Sequence, residues 1–306
     1  MESFEYNANP GRVVFGRGSL KKLPSEISRL NVSSPLVLST PQQIQQAEAL
    51  EKDLDGRFAG IFSEAAMHTP THITDKAVQF AQSQKADSIV SVGGGSTIGL
   101  GKAISIRTGL PHISIPTTYA GSEMTPILGE TADGQKKTRN APKILPETVI
   151  YDVDLTMTLP VGLSATSGVN AIAHAVEALY AKNTNPIVSL LALEGGSFNL
   201  PHAETHTIIL PHALAYNAPS IPQVMEKLAG CFPESNGDAI QGLNVLLAKL
   251  KVKRALKDFG MKSEDIDRAA ELAVSNPYYN PRPLEKESIR ELIRRAWAGE
   301  EARSDF

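Results

Sequence analysis

A chain of 306 residues, 42% apolar and 21% charged, has the composition of an ordinary globular protein with room for two domains. Its formal net charge of -3 excludes the basic surplus that marks nucleic-acid or anionic-membrane partners, which leaves small-molecule chemistry as the class to expect. The single cysteine, Cys231, excludes an internal disulfide framework and a cysteine-based zinc knuckle. With no basic-then-apolar leader at residues 1–10 and no apolar run near the ~20 residues of a membrane span, a cytoplasmic protein is expected.

In chain order, residues 13–15 read as a short strand closed by Gly16 and Gly18, residues 20–30 have helical spacing, and 35–39 is an apolar run of strand type. A polar helix at 42–54, a strand at 59–62, a helix at 75–84 and a strand at 88–92 continue the alternation. Gly93-Gly94-Gly95-Ser96 then opens a helical stretch at 97–107, a strand follows at 113–116, and 149–151, ending at Asp152, is the last strand. Such alternation predicts a parallel sheet covered by helices on both faces. Beyond Asp154 the spacing is helical, at 168–181, 187–194, 208–215, 224–229, 242–258, 263–273 and 284–298. The expected division is therefore an α/β domain at 1–153 and an α-helical domain at 154–306, joined near Pro160 and Gly162.

The strongest chemical signal is the glycine turn between a strand and a helix. Gly93, Gly94 and Gly95 let backbone N–H groups approach a phosphate, and the helix start adds a favourable dipole for a pyrophosphate. The spacing GxGxxG is absent, and a tight turn that binds nothing is the competing reading. The next strand delivers Thr117, Thr118 and Ser122, hydroxyls suited to ribose, phosphate or carboxamide, though they also suit a turn that satisfies its own backbone. In the second half, Asn170 and His174 are four apart and share a helix face. His202, His206 and His212 crowd one stretch of a chain that has 7 histidines, and either a structural or a chemical role fits them.

The segments GGGSTIGLGKA (93–103), PTTYAGSEMTP (116–126) and LPETVIYD (145–152) resemble the iron-containing alcohol dehydrogenase superfamily, and specifically its maleylacetate reductase branch. FEYNANPGRVVFGRGSL (4–20), GVNAIAHAVEALYA (168–181), NLPHAETHTIILPHALAYNAP (199–219) and NPYYNPRP (276–283) extend the resemblance over almost the whole chain. It implies a Rossmann-like α/β domain followed by an all-α domain, the architecture shared with dehydroquinate synthase, and NADH or NADPH as cofactor. Gly93, Gly94, Gly95, Ser96 and Thr97 would hold the pyrophosphate, Thr117, Thr118 and Ser122 would line the remaining cofactor site, and Lys136 would meet a ribose. Lys137 and Arg139 make a solvated basic loop an equal reading of Lys136. After the strand at 35–39, where many relatives carry an acidic residue for the adenosine ribose, stands Thr40-Pro41-Gln42, so NADH and NADPH both remain open.

The resemblance further implies hydride transfer to a dicarboxylic 4-oxo acid, maleylacetate becoming 3-oxoadipate in the breakdown of aromatic compounds, and a homodimer. His174 and His202, with His206 as a carboxylate-binding alternative, are the candidate catalytic groups. In the metal-dependent branch the first histidine motif begins with aspartate. Here it begins with Asn170, a neutral amide, and no bound metal is expected. Family members carry a further helical stretch of roughly 50 residues, including a His-x-x-x-His element, before the Phe-Asn-Leu-Pro-His segment, whereas here Gly195 runs directly into Gly196. That junction reads as an internal deletion.

Overall fold

The computed structural model describes residues 11–54, 56–132, 135–182, 184–185, 187–188, 204–232, 234–275 and 279–305, with the backbone alone for residues 136 and 204–206. The chain forms two compact units, Met1–Leu159 and Pro160–Phe306, which divide six residues beyond the end of the α/β domain read from the sequence.

In the first unit, strands β1 (Arg12–Gly16), β2 (Pro35–Leu38), β3 (Gly60–Phe62), β4 (Ser88–Gly93), β5 (His112–Pro116) and β8 (Thr148–Asp152) build one sheet in the order β1-β8-β5-β4-β2-β3. Every neighbouring pair is parallel. A parallel sheet must be covered on both faces, and β4 and β5 are accordingly buried along their whole length. Alternation along the strands divides the core. Val37, Val90, Ile113 and Ile150 pack with Leu23 and Ile27 of α1 (Leu23–Arg29) and with Leu50 of α2 (Ile44–Asp53). Leu36, Leu38 and Ile89 meet Ala77 and Ala81 of α3 (Thr71–Ser83) and Leu100 and Ile104 of α4 (Gly95–Thr108) on the opposite face. The sheet has one topological switch point, between β2 and β4, where successive strands begin to move in opposite directions. Ligands of open parallel sheets bind outside the carboxyl ends of the strands at such a point.

An antiparallel pair absent from the sequence reading, β6 (Ile127–Ala132) with β7 (Gln135–Asn140), lies between β5 and β8 in the chain. Glu130 of β6 is buried and paired with Arg107 of α4 at 2.7 Å.

The described part of the second unit is helical: α5 (Val161–Tyr180), α6 (Glu204–Asn217), α7 (Pro222–Cys231), α8 (Ala239–Lys249), α9 (Asp265–Ser275) and α10 (Lys286–Ala298). Val169, Ile172 and Val176 of α5 face Leu210 and Leu214 of α6 and Leu243 and Leu247 of α8, a stripe at helical spacing. The sequence reading ran one helix from 242 to 258. Instead α8 starts earlier, where the Asp238 carboxylate accepts from the Ile240 and Gln241 N–H groups at 2.8 and 3.3 Å, and it ends before Lys251, whose φ of 51° breaks the helix. The helix expected at 187–194 and the junction at 195–196 fall mostly or wholly outside the described residues. Among the described residues no helix is long and apolar enough to cross a membrane.

Candidate cofactor site and catalytic groups

The glycine turn stands at the switch point. Gly93 closes β4 with φ of 148°, a conformation that a side chain rarely adopts, and a Cβ there would lie 2.6 Å from Thr97 Oγ1 and 2.9 Å from Gln43 Oε1. Gly94 is the N-cap of α4 and offers no capping side chain; the Thr97 and Ile98 N–H groups donate to its carbonyl at 3.1 Å, which leaves the N–H groups of Gly95 and Ser96 to face a ligand. A Cβ on Gly94 would sit 3.0 Å from both Thr118 Cγ2 and Thr118 Oγ1. This cradle, half-buried at Gly94, Gly95 and Ser96, fits the pyrophosphate of a dinucleotide: a helix N-terminus, its dipole, and two glycines that carry no side chain to obstruct approach.

Thr117 follows β5, and its N–H donates to the Gly93 carbonyl at 3.0 Å, which locks the two strand ends together. Its hydroxyl accepts from Gln43 Nε2 at 3.0 Å, while Gln43 Oε1 accepts from Thr40 Oγ1 at 3.2 Å. Gln43 therefore bridges the ends of β2, β4 and β5, a role the sequence reading missed because it stopped at Thr40-Pro41-Gln42. Thr97 is fully buried beneath the turn and its hydroxyl has no partner among the described residues, so it faces Gly93 rather than the open side. Thr118 and Ser122 are half-buried at the same end of the sheet. Lys136 lies on β7 opposite Thr131, and its side chain is outside the described residues.

Beside Gly95 and Ser96 lies an open-sided hollow of about 160 Å³, lined also by Thr69, Gly99, Lys102 and Ser122. Lys102, on α4, is wholly buried. Its ammonium donates to the carbonyls of Ser122, of Thr125 at 2.8 Å and of Ile127 at 2.9 Å, with the hydroxyls of Ser122 and Thr125 each at 3.2 Å. Burial lowers its pKa to about 8, against a smaller upward pull from Glu123. Glu123 is buried too, accepts from the Tyr151 hydroxyl at 2.7 Å, and is pushed upward chiefly by desolvation. On β5, His112 is buried against α4 with its Nε2 2.6 Å from Ser91 Oγ, and desolvation together with the nearby Lys102 holds its pKa down to about 3. The signal that could have exposed Lys102 is a lone cation inside a helical stretch, Ile98 to Ser105, that is buried at every position.

In the second unit, Asn170 is buried on α5 and His174 is exposed one turn later. His174 Nδ1 lies 3.4 Å from Glu177 Oε2, and the hydrogen bond to that carboxylate raises the imidazole pKa. His202 lies outside the described residues, and of His206 only the backbone, in the first turn of α6, is described. His212 is interior: burial, with Arg254 and Arg295 nearby, lowers its pKa to about 4. Two broader hollows of about 680 and 630 Å³ in this unit adjoin Asp238, and no histidine lines either. Among the described residues the donor set does not suit a divalent cation. Residue 170 is an amide, and among the described residues no three His, Cys, Asp or Glu side chains converge.

With the fold and the glycine cradle in place, comparison with known proteins settles the class. The profile described as iron-containing alcohol dehydrogenase matches residues 10–153, and that of the C-terminal part of the Fe-containing alcohol dehydrogenase family matches residues 194–297. The chain belongs to the iron-containing alcohol dehydrogenase family and is an oxidoreductase. Within the family it is similar to maleylacetate reductases: that of Rhizobium sp. (strain MTP-10005) is 45% identical, covering 98% of this chain and 99% of the relative. That of Sphingobium indicum is 42% identical, covering 97% and 98%. The crystal structure of maleylacetate reductase from Agrobacterium tumefaciens matches with a TM-score of 0.92 at 45% identity, over 98% of this chain and 100% of that one. The Rhizobium alignment spans 350 positions, whereas this chain has 306 residues, so at least 44 positions have no counterpart here.

Proposed function

We propose that the chain reduces maleylacetate to 3-oxoadipate with NADH or NADPH as hydride donor. The observation that carries this reading is the uncapped glycine turn at the switch point of the sheet, in a chain similar over nearly its whole length to maleylacetate reductases. Ser39, Thr40 and Gln43 at the end of β2 carry no charge to select for or against a 2′-phosphate, so both reduced nicotinamides are candidate donors. The nicotinamide, when bound, would supply one hydride to the conjugated enone, and one proton from a protein donor or water would complete the reduction. The two substrate carboxylates and the developing enolate require cationic or hydrogen-bonding groups. We assign His174, His202 and His206 to them. Glu177 supports this for His174, because its carboxylate raises the imidazole pKa and so favours the charged form. The family's homodimer is part of the same reading.

Oxidation of NADH and of NADPH, followed by absorbance with maleylacetate as acceptor, tests the proposal. Turnover with another carbonyl compound and none with maleylacetate would place the chain in a different branch of the family. The shortfall of at least 44 aligned positions favours one alternative, a protein that binds the cofactor with impaired catalysis. Cofactor binding without turnover of any keto acid would establish it.

A further inference from the structure

An ammonium without a carboxylate partner is an expensive group to bury unless dipoles surround it. Among the described residues Lys102 forms no ion pair, and what surrounds it is a shell of three carbonyls and two hydroxyls, all from Ser122, Thr125 and Ile127. These residues belong to the stretch that leaves β5 after Pro116 and enters β6. Its regular structure is a single short turn, Ser122–Met124, entered through Gly121 at φ of 70°. Carbonyls that converge on one point repel each other, so the stretch keeps this shape only while a cation occupies the centre. Ser122 and Lys102 also share the wall of the cavity beside Gly95 and Ser96.

We propose that Lys102 is a positioning residue for the cofactor site: its ammonium is a fixed internal cation around which the 122–127 stretch wraps, so that Ser122 is presented to the dinucleotide. The idea rests on the reading of Ser122 as part of that site. It assigns Lys102 no contact with the cofactor. Because the cavity reaches the lysine, a small free ammonium ion can enter the space left by Lys102→Ala and take up the same carbonyls.

The test is a fluorescence titration of NADH, and of NADPH, against the wild-type chain, Lys102→Ala and Lys102→Met, with folding monitored by circular dichroism. Lys102→Ala is expected to bind at least tenfold more weakly and to recover most of that loss in ammonium or methylammonium chloride. Sodium or tetramethylammonium chloride at equal ionic strength should leave it weak. Lys102→Met fills the space without charge and should be weak and beyond rescue. Wild-type affinity should be insensitive to ammonium. Lys102→Met with wild-type affinity, or Lys102→Ala recovering equally in sodium, would overturn the proposal while leaving the cofactor site intact. A wild-type chain that binds neither nucleotide would overturn the site itself.

If neither variant folds, the wild-type pH profile decides. The titratable groups near Lys102 are His112 of β5, held neutral by burial, and Glu123, whose carboxyl accepts from the Tyr151 hydroxyl. Affinity should fall as pH rises through about 8, where the lysine loses its proton. A flat profile across that range would overturn the role given to the cation.

Discussion

The Arg12 guanidinium holds the Glu26 carboxylate by two parallel hydrogen bonds, Nε to Oε2 at 2.7 Å and Nη2 to Oε1 at 2.8 Å. Arg29 adds a third at 2.8 Å and reaches on to Thr148 Oγ1 at 2.6 Å, so one buried carboxylate ties β1, α1 and β8 together. The Arg12 bond, aided by Arg29 and opposed by burial, lowers the Glu26 pKa from 4.5 to about 2. A lowered carboxylate pKa stabilises the fold above the unfolded value, and that stabilisation is lost as pH falls towards the folded one. Glu26→Gln should therefore cost the first unit on the order of 2 kcal/mol at neutral pH, allowing for the half-exposed Arg12. In wild type, stability should decline between pH 4.5 and about 2. Urea denaturation at several pH values reads both. Equal stability of the two forms at neutral pH would show that the pair contributes nothing.

Gly94→Val adds a branched side chain where even a Cβ stands 3.0 Å from Thr118. It should weaken NADH binding at least tenfold while the chain stays folded, since Gly94 is half-buried at the rim and not in the core. Fluorescence titration measures the loss, and unchanged affinity would remove the glycine turn from the phosphate site.

On the inner side of α4, a Cβ at Gly101 would lie 2.5 Å from His112 Nε2, and that ring is pinned by Ser91. Gly101→Ala forces the imidazole off its partner, so it should destabilise the first unit by about 1–3 kcal/mol despite the better helix propensity of alanine. Thermal unfolding decides the sign. A stabilised variant would mean that His112 has room to move.

The contrast between β4 and β7 shows what the sequence could and could not reveal. Ser88–Gly93 is a run of small and β-branched residues that ends in a glycine turn, which reads as a buried strand without help. Gln135–Asn140 is polar throughout and pairs with β6 through its backbone at the surface, so hydropathy holds no trace of it. The glycine turn was legible because backbone approach to a ligand demands a particular residue type. Gln43 and Lys102 were not, because their roles depend on which strand ends the fold brings together, and neither the sheet order nor the path of residues 122–127 is written in local spacing.

Activity should survive chelation. Asn170 offers an amide where a divalent cation would favour a carboxylate, and Glu177 already engages His174. Turnover measured before and after prolonged EDTA treatment should be unchanged. Activity lost to EDTA and restored by iron or zinc would put a metal into the reaction.

The last prediction concerns the residues that relatives have and this chain lacks. The glycine turn, Thr117, Thr118 and Ser122 all lie in the first unit, whose sheet is packed by helices on both faces, so cofactor binding should not depend on the missing stretch. The proposed substrate groups lie in the second unit, on either side of the junction at 195–196. Each large apolar side chain that a restored helix buries contributes about 1.5–3 kcal/mol, so a handful equals the roughly 5–15 kcal/mol net stability of a whole domain. Inserting the corresponding residues of a maleylacetate reductase at the junction should therefore raise the unfolding temperature of the second unit and its cooperativity, and speed maleylacetate turnover at least tenfold. NADH affinity should change little. Calorimetry and steady-state kinetics on the two forms separate these effects. If the 306-residue chain unfolds as cooperatively and turns over as fast as the restored one, then the missing stretch is dispensable, and His174, His202 and His206 suffice for the chemistry.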